Sequence, residues 1–151
     1  ARRNGVPLSL WSRLQAGKAL DGFRPEDVLG EARRGLSLLY STDTRPVADM
    51  VRLGKECDLM VLEGMFGDPE KDERARVTHH MTMREAAEIA RDAQPARLWL
   101  THFSPATPHP EEYLEEMQTL FPRLQMGECG LKETLNFVQA AQQLKTLSSW
   151  E

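Results

Sequence analysis

The chain has 151 residues, of which 40% are hydrophobic and 28% are charged, and its formal net charge is −4. This length suits about one globular domain, and the acidic balance argues against a non-specific polyanion binder, which usually carries surplus basic residues. No apolar stretch approaches the roughly 20 residues that cross a bilayer, so we predict a cytoplasmic protein without a membrane segment. Two well-separated cysteines, Cys57 and Cys129, are too few for a disulfide framework and are expected to be free thiols.

The start of the chain differs in pattern from the rest. Residues 1–35 hold one short amphipathic stretch, LSLWSRLQAG, and one turn-rich stretch, DGFRPEDVLG, and we predict a connector that packs on the fold. Residues 36–137 alternate apolar runs with amphipathic segments. We predict strands at 36–42, 58–63, 96–102, 123–128 and 131–137, helices at 46–56, 82–93 and 111–121, and a charged loop at 67–77.

The last segment, 138–151, is predicted to be a helix or tail. Its apolar residues Val138, Ala141, Leu144 and Leu147 follow a helical period. Such a stripe can pack within the chain or against a second copy of it, and both interpretations stay open at this point.

Apolar strands that alternate with helices indicate an α/β fold with a mostly parallel sheet and flanking helices. Three helix starts carry recognisable signals. Thr82 and Glu85 have the spacing of a capping box, and Pro46 and Pro110 suit a first helical turn, where the missing N–H is tolerated.

Three of the predicted strands end at polar residues. Their ends lie at Asp43, Glu63 and His102. Because the carboxyl ends of parallel strands meet at one edge of a sheet, these side chains are expected to lie close together, where ligands commonly bind. Carboxylate and imidazole are suitable zinc ligands, although each residue is equally suited to cap a helix or open a loop.

A pair of histidines precedes the predicted capping box. His80 lies just before Thr82, so its ring is placed to approach the same edge from the start of a helix, where phosphate chemistry or proton transfer is favoured. The alternative is a half-exposed loop histidine, which spacing alone does not exclude. His109 precedes Pro110 and is expected to serve at a helix start.

Four motifs in order, STDTRP, DLMVLEGMF, HMTMREAAEIA and LWLTHFSP, resemble the C-terminal half of ribonuclease Z. The stretches NGVPLSLWSRLQAG and PEDVLG resemble the connector that precedes DTRP in that family. The resemblance implies an αββα sandwich of the metallo-β-lactamase fold, with its C-terminal half at 36–137. It also implies a zinc-dependent endoribonuclease that removes the 3′ trailer of tRNA precursors and acts as a homodimer.

The resemblance also implies roles for the residues at the sheet edge. Asp43 would bridge two zinc ions and His102 would be a ligand of one of them. Glu63 and His80 would form an active-site pair that contacts the scissile phosphate or moves a proton. No residue is singled out for RNA binding.

The departures from the family pattern are also informative. Residues Thr42, Gly64, Met65 and Ala106 stand where the family commonly has other residues, which affects the details of substrate contact. The motif HxHxDH, which supplies most zinc ligands in the family, does not occur in these 151 residues. We therefore expect a missing N-terminal half or a complementing chain, and little activity without it. The alternatives are a non-catalytic dimerising α/β module and another metallo-β-lactamase-fold hydrolase.

Overall fold

A computed structural model describes residues 5–20, 22–30 and 34–137 of the chain. The chain divides into two compact units, and the second of them, Gly35–Phe137, contains the sheet. The predicted helix or tail at 138–151 lies outside the described residues, as does its apolar stripe. Its role in a homodimer therefore stays a prediction.

The described part of the first unit consists of short helical turns. Its 3₁₀ turns are Leu8–Leu10 and Pro25–Asp27, and the helix α1 is Trp11–Gln15. Leu14 is fully buried, and the indole N–H of Trp11 donates to the carbonyl of Val6 at 3.2 Å. A connector role for this segment stays a prediction.

The second unit is built on a four-stranded parallel sheet of order β1-β2-β3-β4, as the alternating pattern predicted. The strands are β1 (Leu38–Ser41), β2 (Leu59–Glu63), β3 (Leu98–Thr101) and β4 (Leu124–Met126). The helices are α2 (Ala48–Gly54), α3 (Asp72–Val77), α4 (Met83–Ala93) and α5 (Leu114–Leu120).

One face of the sheet carries the hydrophobic core. Alternate strand residues such as Met60, Leu62, Leu98 and Leu100 are fully buried there. Helices α2, α4 and α5 pack in a row on this face, and the alanine-rich side of α4 lies against the middle strands. Small residues on α4 allow this close approach, so the central helix fixes the spacing between the strand ends and its own first turn.

The opposite face of β1 is open. Leu38 and Tyr40 are 56% and 63% exposed, whereas their neighbours across the register, Leu59 and Val61, are buried. All five residues of β2 are buried, which is the pattern of a strand inside a layered fold.

Two predicted elements were wrong. The segment 67–77 is not a plain loop, since it contains the 3₁₀ turn Pro69–Lys71 and then α3. Acidic residues in the first turn of α3 and basic residues in its last turn complement the helix dipole, so a charged composition favoured a helix here. Residues 131–137 are described but form no strand, and the sheet in the described ranges ends at β4.

The starts of α2 and α4 agree with the sequence signals to within two residues, whereas α5 begins at Leu114, after the 3₁₀ turn that Pro110 opens. Thr82 accepts from Glu85 N–H, and the Glu85 side chain accepts from Thr82 N–H, which completes the capping box. Helix α2 begins at Ala48 rather than at Pro46, and His109 is the N-cap of the turn Pro110–Tyr113. The longest helix in the described ranges, α4, has 11 residues, and none there has the length and hydropathy to span a bilayer.

The two thiols are free and differ in environment, which gives a testable prediction. Burial raises the pKa of the Cys57 thiol, which donates to the carbonyl of Leu59 at 3.3 Å, whereas Cys129 is exposed. Because the thiolate is the reactive form, Cys57 should react slowly with Ellman's reagent at pH 8. We expect one fast thiol per native chain and a second after denaturation in urea. A Cys129→Ser chain with a fast thiol would contradict this assignment.

Candidate functional site

Asp43 and His102 lie just beyond the carboxyl ends of β1 and β3. Both have left-handed backbone conformations, with φ of 54° for Asp43 and 57° for His102. Asp and His tolerate this region better than most residues, and such conformations concentrate at functional sites. The turn at each strand end brings the two side chains together, with Asp43 Oδ1 3.4 Å from His102 Nε2.

Glu63 ends β2 between these two residues, and its side chain is completely buried. One carboxylate oxygen, Oε1, accepts from the backbone N–H of Thr44 at 2.7 Å. The other, Oε2, lies 2.8 Å from His80 Nδ1 and 3.2 Å from His102 Nδ1. A buried carboxylate is costly unless it is hydrogen-bonded, and these three contacts satisfy it.

His80 lies in the turn between α3 and α4. The end of α3 has the two hydrogen bonds of a Schellman motif, from His79 N–H to Arg76 O at 3.2 Å and from His80 N–H to Ala75 O at 2.8 Å. His79 takes the left-handed position of that motif, with φ of 63°. Thr82 then caps α4, so His80 is fixed between the end of one helix and the start of the next.

Asp43, Glu63, His80 and His102 each offer one ligand atom, and these atoms all lie within 4.8 Å of one another. Asp43 Oδ1 is 3.6 Å from His80 Nδ1, and the two imidazole rings are 5.4 Å apart at their centroids. A carboxylate accepts and does not donate, so both Nδ1 atoms carry a proton towards Glu63, and the Nε2 atom of a neutral ring then keeps the lone pair that binds a metal. Neutral imidazole and carboxylate are the donor types that zinc takes, so this set fits a metal ion.

The structure thus brings together all four residues that the sequence singled out at this edge. His79 and His109 are not members of the group, and His109 instead lies 3.1 Å from Glu111. Sequence reasoning paired Glu63 with His80 alone and missed its contact with His102.

Sequence reasoning also missed the support around the site. Arg45, Glu85 and the backbone of Thr44 join the elements that carry the four residues. Arg45 belongs to the quoted DTRP motif, but Glu85 was interpreted only as a helix cap. No local signal joins the two, since 40 residues separate them.

One departure from the family pattern has a structural explanation. A Cβ at Gly64 would lie 2.9 Å from Met83 Cγ, so the absence of a side chain accommodates the methionine that opens α4. Met65 contributes mainly its backbone, which accepts from Ser104 N–H at 2.9 Å and donates to Met81 O at 3.0 Å. The carbonyl of Ala106 accepts from Lys71 Nζ at 2.8 Å. Nothing in the structure explains the presence of Thr42 at its position.

Comparison with known proteins decides the family. The family model described as the beta-lactamase superfamily domain matches residues 9–103, which is more than half of the chain. The chain belongs to the beta-lactamase superfamily. The match ends just after His102, so three of the predicted strands and all four site residues fall within it.

Similar proteins of this superfamily include ribonucleases Z from two bacteria. The chain is 43% identical over 141 residues to the Ribonuclease Z of Lachnoclostridium phytofermentans, and 43% identical over 141 residues to that of Clostridium acetobutylicum. Each alignment covers 91% of this chain and 46% of the relative. The chain therefore spans about half the length of the curated relatives it matches.

Solved structures show the same fold. The metallo-beta-lactamase fold protein YhfI from Bacillus subtilis has a TM-score of 0.57 at 24% identity, covering 64% of this chain and 39% of its own. Human tRNase Z, short form, has a TM-score of 0.54 at 24% identity, covering 68% of this chain and 35% of its own. At this identity the likeness establishes the metallo-β-lactamase fold, as the motif order predicted.

Proposed function

We propose that this chain supplies the C-terminal half of the active site of a zinc-dependent endoribonuclease that removes the 3′ trailer of tRNA precursors. One observation carries the proposal. Asp43, Glu63, His80 and His102 converge at one sheet edge in a chain that is 43% identical to bacterial ribonucleases Z. A non-catalytic module gives no role to the convergence of His80 with the three strand-end residues, and the identity to ribonucleases Z favours that activity over another hydrolase.

In this proposal Asp43 and His102 hold metal. Asp43 is 64% exposed at its side chain, and its Oδ1 already faces His102 Nε2, so a carboxylate and a lone pair are presented together. The backbone turn at each residue, rather than a long flexible side chain, sets their separation. Bound zinc would supply a Lewis acid that stabilises negative charge on the attacked phosphodiester.

His80 is the proposed proton carrier. Glu63 Oε2 lies 2.8 Å from His80 Nδ1, so the ring is oriented with Nε2 on the side away from this carboxylate. A proton carried at Nε2 can be delivered to a leaving oxygen or donated in a hydrogen bond to a phosphate oxygen. Glu63 is fully buried and acts through the imidazoles rather than on RNA.

Two protein ligands are too few for a catalytic zinc centre, which generally keeps three, and a two-zinc centre needs still more. We therefore propose that the remaining ligands come from sequence outside these 151 residues, in the same polypeptide or in a second chain. Leu38 and Tyr40 are exposed on the open face of β1, which supports the proposal that further sequence covers this face. The proposed active form is a homodimer, which sedimentation of the complete protein tests directly.

The direct test of the function uses the complete protein and a tRNA precursor with a 3′ trailer. We expect a single cut at the trailer boundary, loss of cutting in EDTA, and recovery when zinc is added back. Cutting should depend on the metal because the site residues are proposed to supply metal ligands and a proton carrier, and none of them is proposed as the nucleophile.

Two controls separate the proposal from its alternatives. An unstructured RNA of equal length should be cut far more slowly, and the chromogenic lactam nitrocefin should not be hydrolysed. Hydrolysis of the lactam without RNA cleavage would favour a different hydrolase. A complete, zinc-loaded protein that cuts neither substrate would favour a non-catalytic module.

A further inference from the structure

The loop that carries Asp43 is attached at two points to the rest of the site. The backbone N–H of Thr44 donates to Glu63, as described above, and the guanidinium of Arg45 reaches across to the elements around His80. Arg45 Nη1 donates to the carbonyl of His80 and, at 2.9 Å, to Glu85 Oε2, while Nη2 pairs with Glu85 Oε1. Asp43 is therefore followed by two consecutive residues that are each hydrogen-bonded to another member of the site.

Arg45 and Glu85 form a bidentate ion pair. Two parallel N–H···O bonds give such a pair a fixed orientation as well as energy, which a lysine cannot reproduce. Both side chains are 27% exposed, so the pair is shielded more than an ordinary surface ion pair. Glu85 Oε2 also accepts from Thr82 N–H at 2.9 Å. The same carboxylate therefore caps α4 and binds Arg45.

We propose that Arg45 is a positioning residue that sets the distance between Asp43 and His80. Its hydrogen bonds go to the His80 carbonyl and to Glu85 rather than to the four ligand atoms, so it acts through these two groups. Without it the Thr44 N–H would be the remaining backbone hydrogen bond from the Asp43 loop to the site, and the carbonyl of His80 would lose its hydrogen bond to that loop. The consequence for catalysis rests on the function proposed above, whereas the consequence for geometry does not.

The chain offers a matched set of variants. Arg45→Gln removes the guanidinium. Arg45→Lys keeps the positive charge without the planar group that makes two parallel hydrogen bonds. Glu85→Gln removes the charge partner but keeps a residue type that serves at this position of a capping box. Arg84→Gln is the control, because Arg84 lies on the same helix and pairs with Glu116 at the surface, away from the site.

The first measurement is hydrogen exchange of the Thr44 amide by NMR in the 151-residue chain without metal. The second is zinc affinity, by competition with a chromophoric chelator. Arg45→Gln, Arg45→Lys and Glu85→Gln should each speed the exchange and weaken zinc binding about 10- to 100-fold, the usual cost of losing a residue that orients a ligand. The double variant Arg45→Gln/Glu85→Gln should be no worse than Arg45→Gln alone, since loss of the guanidinium already breaks the link to Glu85.

In the complete protein, the Arg45 variants should lower kcat and leave KM unchanged. If Arg45 served only the stability of the fold, its variants would lower the melting midpoint and leave kcat unchanged. Arg84→Gln should match the wild type in every measurement. Thr44 exchange in Arg45→Gln equal to that in Arg84→Gln would overturn the proposal, whether or not the wild type binds zinc. Failure of the wild type to cleave tRNA precursors would overturn the proposed function and leave the exchange comparison intact.

Discussion

Substitution of Asp43 by alanine is expected to abolish tRNA-precursor cleavage by the complete protein, with a fall of about a thousandfold or more. Asp43 presents its Oδ1 to both histidines, at 3.4 Å from His102 Nε2 and 3.6 Å from His80 Nδ1. Its proposed role is to hold metal, and metal-ion stabilisation of a transition state contributes several kcal/mol, each 1.36 kcal/mol being tenfold in rate.

The experiment has two arms. The 151-residue chain alone should bind zinc weakly and cut no precursor, and adding a chain that carries an HxHxDH half should restore cutting. Asp43→Ala in the restored mixture should abolish it, whereas Asp49→Ala, an exposed carboxylate paired with Arg52 on α2, should not. Stoichiometric tight zinc in the isolated chain, or cleavage without a complementing half, would show that the ligand count is wrong.

The second large effect is expected for Glu63→Gln, a change that keeps the shape of the side chain. The amide oxygen can still accept from Thr44 N–H, which places the NH₂ group against both histidine Nδ1 atoms. Because NH₂ only donates, each ring must accept at Nδ1 and carry its proton at Nε2 instead. His102 would lose the lone pair proposed to bind metal. We expect cleavage and zinc affinity to fall about 100-fold or more.

Nitrogen NMR of the histidine rings identifies the protonated nitrogen directly. The wild type should show Nδ1 protonated in His80 and His102, and Glu63→Gln should show Nε2 protonated. The melting midpoint should not fall, since the variant removes a buried charge without opening a cavity. Glu116→Gln, at a half-exposed carboxylate, serves as the control. Full activity in Glu63→Gln together with the wild-type tautomers would contradict the role given to Glu63.

Much of the fold was predictable because its strands are continuous apolar runs that alternate with helices. Parallel strands share a direction, so residues that follow them, such as Asp43 and His102, had to reach one edge. The capping signal at Thr82 placed His80 near that edge as well. These inferences rest on local pattern and one topological rule, and neither depends on knowing the packing.

The contacts around the site could not be predicted in the same way. The pairing of Arg45 with Glu85 and the shared contact of Glu63 with two histidines depend on the spacing that α4 sets against the sheet, which no sequence period expresses. Helix α3 was missed because Ala75 is its one buried residue, so it lacks the apolar stripe that marks a helix. The sequence does indicate α3 through its charge pattern, with acidic residues in the first turn and basic residues in the last turn.

Helix α3 also has a consequence for how the site responds to heat. A helix of six residues is far below the roughly 12 to 15 that hold together in isolation, so α3 depends on its neighbours for stability. The N–H of His80, in the turn that follows α3, donates to the carbonyl of Ala75 in that helix. Fraying of this turn would remove one support of His80 while the sheet and its core stay folded, and the contacts of His80 with Glu63 and Arg45 would have to hold it alone. The site would then begin to lose its arrangement at a temperature set by the six-residue helix α3 and not by the sheet.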